Sequence, residues 1–138
     1  MDREELGPDH PDTILALENT GQTLMDLKQP EEALDYLEQA VAARRRVHGS
    51  NDPETGKTIY RLSVTCTSTG DHDRALALTR EALGIFETAY GADHPWIQYT
   101  LNGLAILYWN QDRYAEARPI FRRSLESIRR THGEEHPY

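Results

Sequence analysis

One interval constrains this chain more than anything else in it. Gly7-Pro8-Asp9-His10-Pro11, Gly49-Ser50-Asn51-Asp52-Pro53, Gly91-Ala92-Asp93-His94-Pro95 and Gly133-Glu134-Glu135-His136-Pro137 begin 42 residues apart each time. A fixed period of this size marks a stacked repeat architecture, in which each copy of a small unit buries its apolar face on the next. The chain therefore reads as a single array over residues 1–138. Its units fall at about 11–49, 53–91 and 95–133, with 134–138 as the start of a truncated fourth.

The recurring stretch has its own chemistry. Glycine takes positive φ without steric cost and closes a helix just past its end, whereas proline pre-sets φ and lacks the N–H that a first helical turn cannot use. Each stretch is thus a stop followed by a start. His10, His94 and His136 recur at the repeat period, so their nearest equivalents lie about one repeat apart, too far to share an ion. A capping or packing role is expected of them, and no metal site.

Within each unit, apolar residues fall at helical spacing in two runs. The first unit has Ile14, Leu17, Leu24 and Leu27, a break at Lys28-Gln29-Pro30, then Ala33, Leu34, Leu37, Ala40, Val41 and Val47. The second is less regular: its first helix ends in Thr65-Cys66-Thr67-Ser68-Thr69, of weaker helix propensity, and this end is expected to fray first. In the third, Pro119 is placed within the first turn or so of the second helix, where a missing N–H is tolerated. Superposed, the units repeat small residues at Gly21/Ser63/Ala105, Ala33/Ala75/Ala117 and Ala40/Ala82/Ser124, and large ones at Leu17/Ile59/Leu101. Small residues at fixed places let two helices approach closely, and the large ones fill the space between hairpins. The chain is a stack of helix hairpins.

Charge and cysteine content narrow the function. A net charge of −8 argues against nucleic-acid binding, which needs a basic face. No long apolar run suggests a membrane span, the first residues do not have the shape of a signal peptide, and Cys66 is the only cysteine, so a cytoplasmic location is expected. Acidic residues lie near predicted helix starts, and Arg44 to Arg46, Arg129 and Arg130 near helix ends. Helix dipoles favour that segregation, so these charges read as a solvated face. No phosphate loop, metal-ligand pair or nucleophile set can be assembled, so neither enzymatic activity nor a cofactor is expected.

The pattern Leu104-Ala105, Tyr108, Ala117, Phe121 and Ser124 resembles the tetratricopeptide repeat family, whose ordinary repeat is about 34 residues. HEAT and armadillo arrays share the range of periods, but the alanines at 33, 75 and 117 favour the tetratricopeptide reading. The longer period, with Thr100-Leu101-Asn102-Gly103-Leu104-Ala105-Ile106-Leu107-Tyr108, is similar to the repeats of kinesin light chain and of sensor arrays on signalling proteins. The resemblance implies an all-α fold: a right-handed superhelical solenoid of three antiparallel helix hairpins, six helices in all. Thr20, Thr79 and Cys66 depart from the family's larger residues, which implies looser packing there.

In such arrays the first helix of each hairpin lines a concave groove that holds a peptide segment of a partner protein. Counted from the repeat, the positions turned away from the second helices include Glu18, Asn19 and Gln22, then Lys57, Tyr60, Arg61 and Val64, then Tyr99, Asn102, Ile106, Trp109 and Asn110. The aromatics offer rigid apolar area, Arg61 a carboxylate partner, and the asparagines adaptable hydrogen bonding. Glu18, Tyr99 and Gly103 are wrong for the carboxylate clamp of chaperone-binding members. Recognition of aromatic-acidic segments, as the likeness to kinesin light chain implies, is favoured by Lys57 and Arg61 and opposed by Glu18 and Asp26. An alternative is a spacer or self-assembly module, a fragment of a larger protein, forming a homodimer through Phe121, Leu125 and Ile128 on the last helix.

Overall fold

A computed structural model of the protein describes residues 7–132. Among these, six helices and no strands are present: α1 Pro11–Asp26, α2 Pro30–His48, α3 Pro53–Thr69, α4 His72–Tyr90, α5 Pro95–Asn110 and α6 Tyr114–His132. Each packs principally against its neighbours in sequence, so the hairpins α1–α2, α3–α4 and α5–α6 follow one another as a helical-repeat solenoid. Gly133 and the residues read as a fourth unit lie outside the described residues.

The recurring stretches act as helix punctuation. Gly49 and Gly91 close α2 and α4 at φ of 88° and 80°, a region other residues avoid. Three residues further on the next helix opens with a side-chain cap followed by proline. His10 Nδ1 accepts from the Asp12 amide and His94 Nδ1 from the Trp96 amide, both at 3.1 Å. Asp52 does the same for Glu54 at 2.8 Å, so histidine and aspartate are interchangeable here. The turn inside each hairpin also needs one residue at positive φ: Gly70 in the second unit, but Lys28 (φ 61°) and Asp112 (φ 59°) at the equivalent positions.

The core runs the length of the stack. Leu37, Ile59, Leu62, Phe86, Ile97 and Leu101 are almost fully enclosed, each contributing about 1.5–3 kcal/mol by leaving water. Gly21 is small for a reason: a Cβ there would stand 2.7 Å from Leu37 Cγ, so α1 and α2 could not stay this close.

Several sequence expectations are corrected. Leu27 is 62 % exposed because α1 has already ended at Asp26, and Val47 is 43 % exposed because α2, three residues longer than α1, overhangs it. The threonine-rich end of α3, by contrast, runs as expected through Thr69 to the turn at Gly70, its hydroxyls bonding back to the carbonyls of Arg61, Ser63 and Cys66 at 3.0 Å. Pro119 lies in the second turn of α6, which already starts at Tyr114, and it is tolerated on the exposed side. Nor are the arginine runs merely solvated: Arg44 pairs with Glu18, Arg45 with Glu81 and Arg46 with Asp9.

Candidate peptide-binding face

The first helices of the hairpins, α1, α3 and α5, carry the residues expected to meet a partner. Asn19, Gln22, Asn102 and Asn110 are exposed, and Tyr99, Trp109, Val64 and Ile106 present 64, 50, 44 and 44 % of their surface. Lys57 is half-buried, paired with Glu54 at 3.2 Å and held over the Trp96 ring.

Glu18 is a correction. It is 3 % exposed, tied to Arg44 of α2, to Arg61 Nη1 at 2.8 Å and to the Thr58 hydroxyl at 3.0 Å. Far from being turned away from the second helices, it joins α1, α2 and α3, because a carboxylate this deep must be paired. Arg61 therefore spends one of its donors on Glu18 while remaining 43 % exposed.

Where α3 meets α5, the face opens into a mostly apolar pocket of about 190 Å³, lined by Tyr60, Ser63, Val64, Thr67, Ser68, Thr79, Gly103, Ile106 and Leu107. Tyr60, Val64 and Ile106 were expected on this face; Thr79 was not. It rises from α4, and its place in the other units is taken by Leu37 and Phe121. A small side chain where its equivalents are large leaves the space unfilled, and the Thr79 hydroxyl is already spent on the Ala75 carbonyl at 2.8 Å. The sequence signal was the departure at Thr79.

One wall of the pocket is rigid. Tyr60 stands edge-on to Trp96, centroids 6.2 Å apart, and donates to the Tyr99 carbonyl at 3.4 Å. Its hydroxyl fills the space a Cβ at Gly103 would need, 2.9 Å away. Burial raises the Tyr60 phenol above its ordinary pKa, so it remains a neutral donor. Trp96 continues through Phe86 to Tyr90, which stacks on His94 at 3.9 Å, so the wall is anchored to the cap of α5.

A second recess, about 270 Å³, lies between Ile106, Trp109 and Phe121. Trp109 leans on Phe121 with centroids 6.3 Å apart, leaving Phe121 half-buried; Leu125 and Ile128 are 47 and 41 % exposed. Cys66 is buried, which pushes its thiol up and leaves it an inert core residue.

A hairpin solenoid with an aromatic-lined face is the architecture of an interaction repeat. The tetratricopeptide repeat profile matches residues 1–46, 19–88 and 98–138, and the chain belongs to that family. Repeats of this family generally mediate protein–protein interaction and are generally non-enzymatic. Similar proteins include a clustered mitochondria protein homolog of Aspergillus niger, 26 % identical over 85 % of this chain and 9 % of that protein. Another is tetratricopeptide repeat protein 19, mitochondrial, of Homo sapiens, 25 % identical over 94 % of this chain and 33 % of its length. The chain thus spans a third or less of these curated relatives. A putative kinesin light chain of Podosopora anserina with nearly identical TPR-like repeats superposes with a TM-score of 0.86, at 22 % identity, covering 97 % of this chain and 63 % of that one.

Proposed function

We propose that this chain takes a peptide segment of a partner protein along α1, α3 and α5, with one large apolar side chain seated in the pocket between Tyr60, Val64 and Ile106. The observation that carries this reading is the pocket itself: an apolar cavity of about 190 Å³ beside exposed aromatic area, on the face where amides stand free to meet a peptide backbone. Fully burying an aliphatic or aromatic side chain is worth about 1.5–3 kcal/mol, enough to act as the anchor of a short segment. Arg61, half-exposed next to Tyr60 in sequence and sharing the single Glu18 carboxylate with Arg44, leaves positive charge on this face and favours an acidic residue near that anchor.

The test is a selection from a random peptide library on the chain and on a Val64→Lys variant, whose changed side chain is exposed and leaves the core intact. Enrichment of a motif with one large apolar residue, at least ten-fold weaker on the variant, supports the reading. Equal enrichment on both, or none on either, overturns it.

A further inference from the structure

The junctions between units carry a sign pattern that the outer faces of the array continue. Between the first and second units, Glu38 accepts from Arg74 at 2.6 Å, and Arg45 donates to both oxygens of Glu81 at 2.6 and 3.0 Å. One period later the charges are exchanged: Glu87 pairs with Arg123, and at the other site Glu116, bonded by Arg113, lies within the field of Arg80, which itself donates to the Tyr108 hydroxyl. The second and third units thus carry two charged sites on each face, the first unit's leading face carries one, Glu32 beside the neutral Gln39, and every ion pair across a junction sets opposite charges against each other.

On the trailing face of the third unit these two sites are Arg122 and Arg129, both exposed. They require a leading face free of positive charge. The second unit presents Arg74 and Glu81, and the third Glu116 and Arg123, so each would set an arginine against an arginine. The first unit presents Glu32 and Gln39, both exposed, and is the one unit of the three with no such clash.

Other positions agree. Glu18 and Arg61 meet at the first junction, Tyr60 and Gly103 at the second; the next equivalents are Asn102 and Asn19, both exposed and able to pair as amides. Leu125 and Ile128 stand where Leu83 and Phe86 are 7 and 0 % exposed beneath the following unit. Opposite them would come Ala16, Thr20 and Thr23, all exposed. Ala16 stands at the equivalent of Thr58 and Thr100, and Thr23 at that of Thr65, those three threonines being fully enclosed within the array, while Thr20 takes the place of the buried Leu62 and Leu104.

From this complementarity we infer that the outer face of α6 binds the α1–α2 face of a second copy of the chain, head to tail. The contact is heterologous, so it extends into chains or closes into rings, where a two-fold contact would stop at a pair. Two α6 faces meeting each other would oppose Arg122 and Arg129 to themselves.

Light scattering on the 138-residue chain, at micromolar to millimolar concentration and low salt, tests this. The expected result is a mass that climbs past two copies. Glu32→Arg alone, and Arg122→Glu with Arg129→Glu, should each weaken association at least ten-fold with unchanged thermal melts. Mixing the two variants should restore it, because each now complements the other. A monomer at every concentration overturns the inference. So does a mass that stops at two copies and survives Glu32→Arg, which would place two α6 faces together.

Discussion

Arg61 reaches back across a unit junction to the Glu18 carboxylate at 2.8 Å, although the two are 43 residues apart in the chain. With Arg44 and Thr58 on the same carboxylate, Glu18 is the knot that ties α1, α2 and α3 together. Removing it strands Arg44, whose side chain is only 11 % exposed and whose Nε already has no hydrogen-bond partner. Glu18→Ala should therefore cost about 3 kcal/mol. Arg61→Ala should cost about 1 kcal/mol, as its own charge is half in water. Urea unfolding of both variants checks this; equal small losses would mean the carboxylate is solvated after all.

Glycine substitutions should move stability in opposite directions at three places. A Cβ at Gly84 on α4 meets nothing, so Gly84→Ala should gain about 0.5–1 kcal/mol from helix propensity. Gly21→Ala should lose about 1 kcal/mol net, because the collision with Leu37 outweighs the same gain. Lys28→Gly should gain about 0.5 kcal/mol by relieving a positive φ that the equivalent Gly70 adopts freely. Melting temperatures of the three, measured side by side, test the ordering.

The cap of α5 should tolerate one exchange and resent another. His94→Ala removes the acceptor for the Trp96 amide and the stack on Tyr90, and should cost at least about 1 kcal/mol. His94→Asp, copying Asp52, should keep the cap and lose only the stack, so its melting temperature should fall between alanine and the native chain. An aspartate variant no better than alanine would show that the stack, and not the cap, is what matters.

Acid should loosen the third unit through Asp93. Hydrogen bonds from Arg130 and Ser127 hold its carboxyl below the ordinary value. A depressed pKa in the folded chain means stability that is present above the unfolded value, near about 4, and lost as pH falls through the folded one. Asp9, lowered by Arg46, acts in the same sense. Unfolding midpoints at pH 7 and pH 3 should therefore differ less for Asp93→Asn than for the native chain.

The helix count, the hairpin turns and the identity of the buried stripe were legible because each is local. A glycine that must turn, a proline that must start and an apolar spacing of three and four act within a few residues of where they stand. Hence the glycine stops at Gly49 and Gly91 and the histidine caps could be read in advance. The register errors at Leu27, Val47 and Pro119 were also local, and arose where a helix ended or began a few residues from its pattern. Glu18 was misplaced for a different reason. A charge on a first helix looks solvent-facing unless its partners are known, and those partners lie 26 and 43 residues away.

What the amino-acid order determined alone was the repeat: its period, its punctuation, its small and large positions. Only the stacked structure decided which long side chains cross the junctions, because Arg45 meets Glu81 and Glu87 meets Arg123 through space and not through adjacency. The pocket is of that kind too. Thr79 is a missing volume, and it becomes a cavity only when α3 and α5 bring Tyr60, Val64 and Ile106 around it.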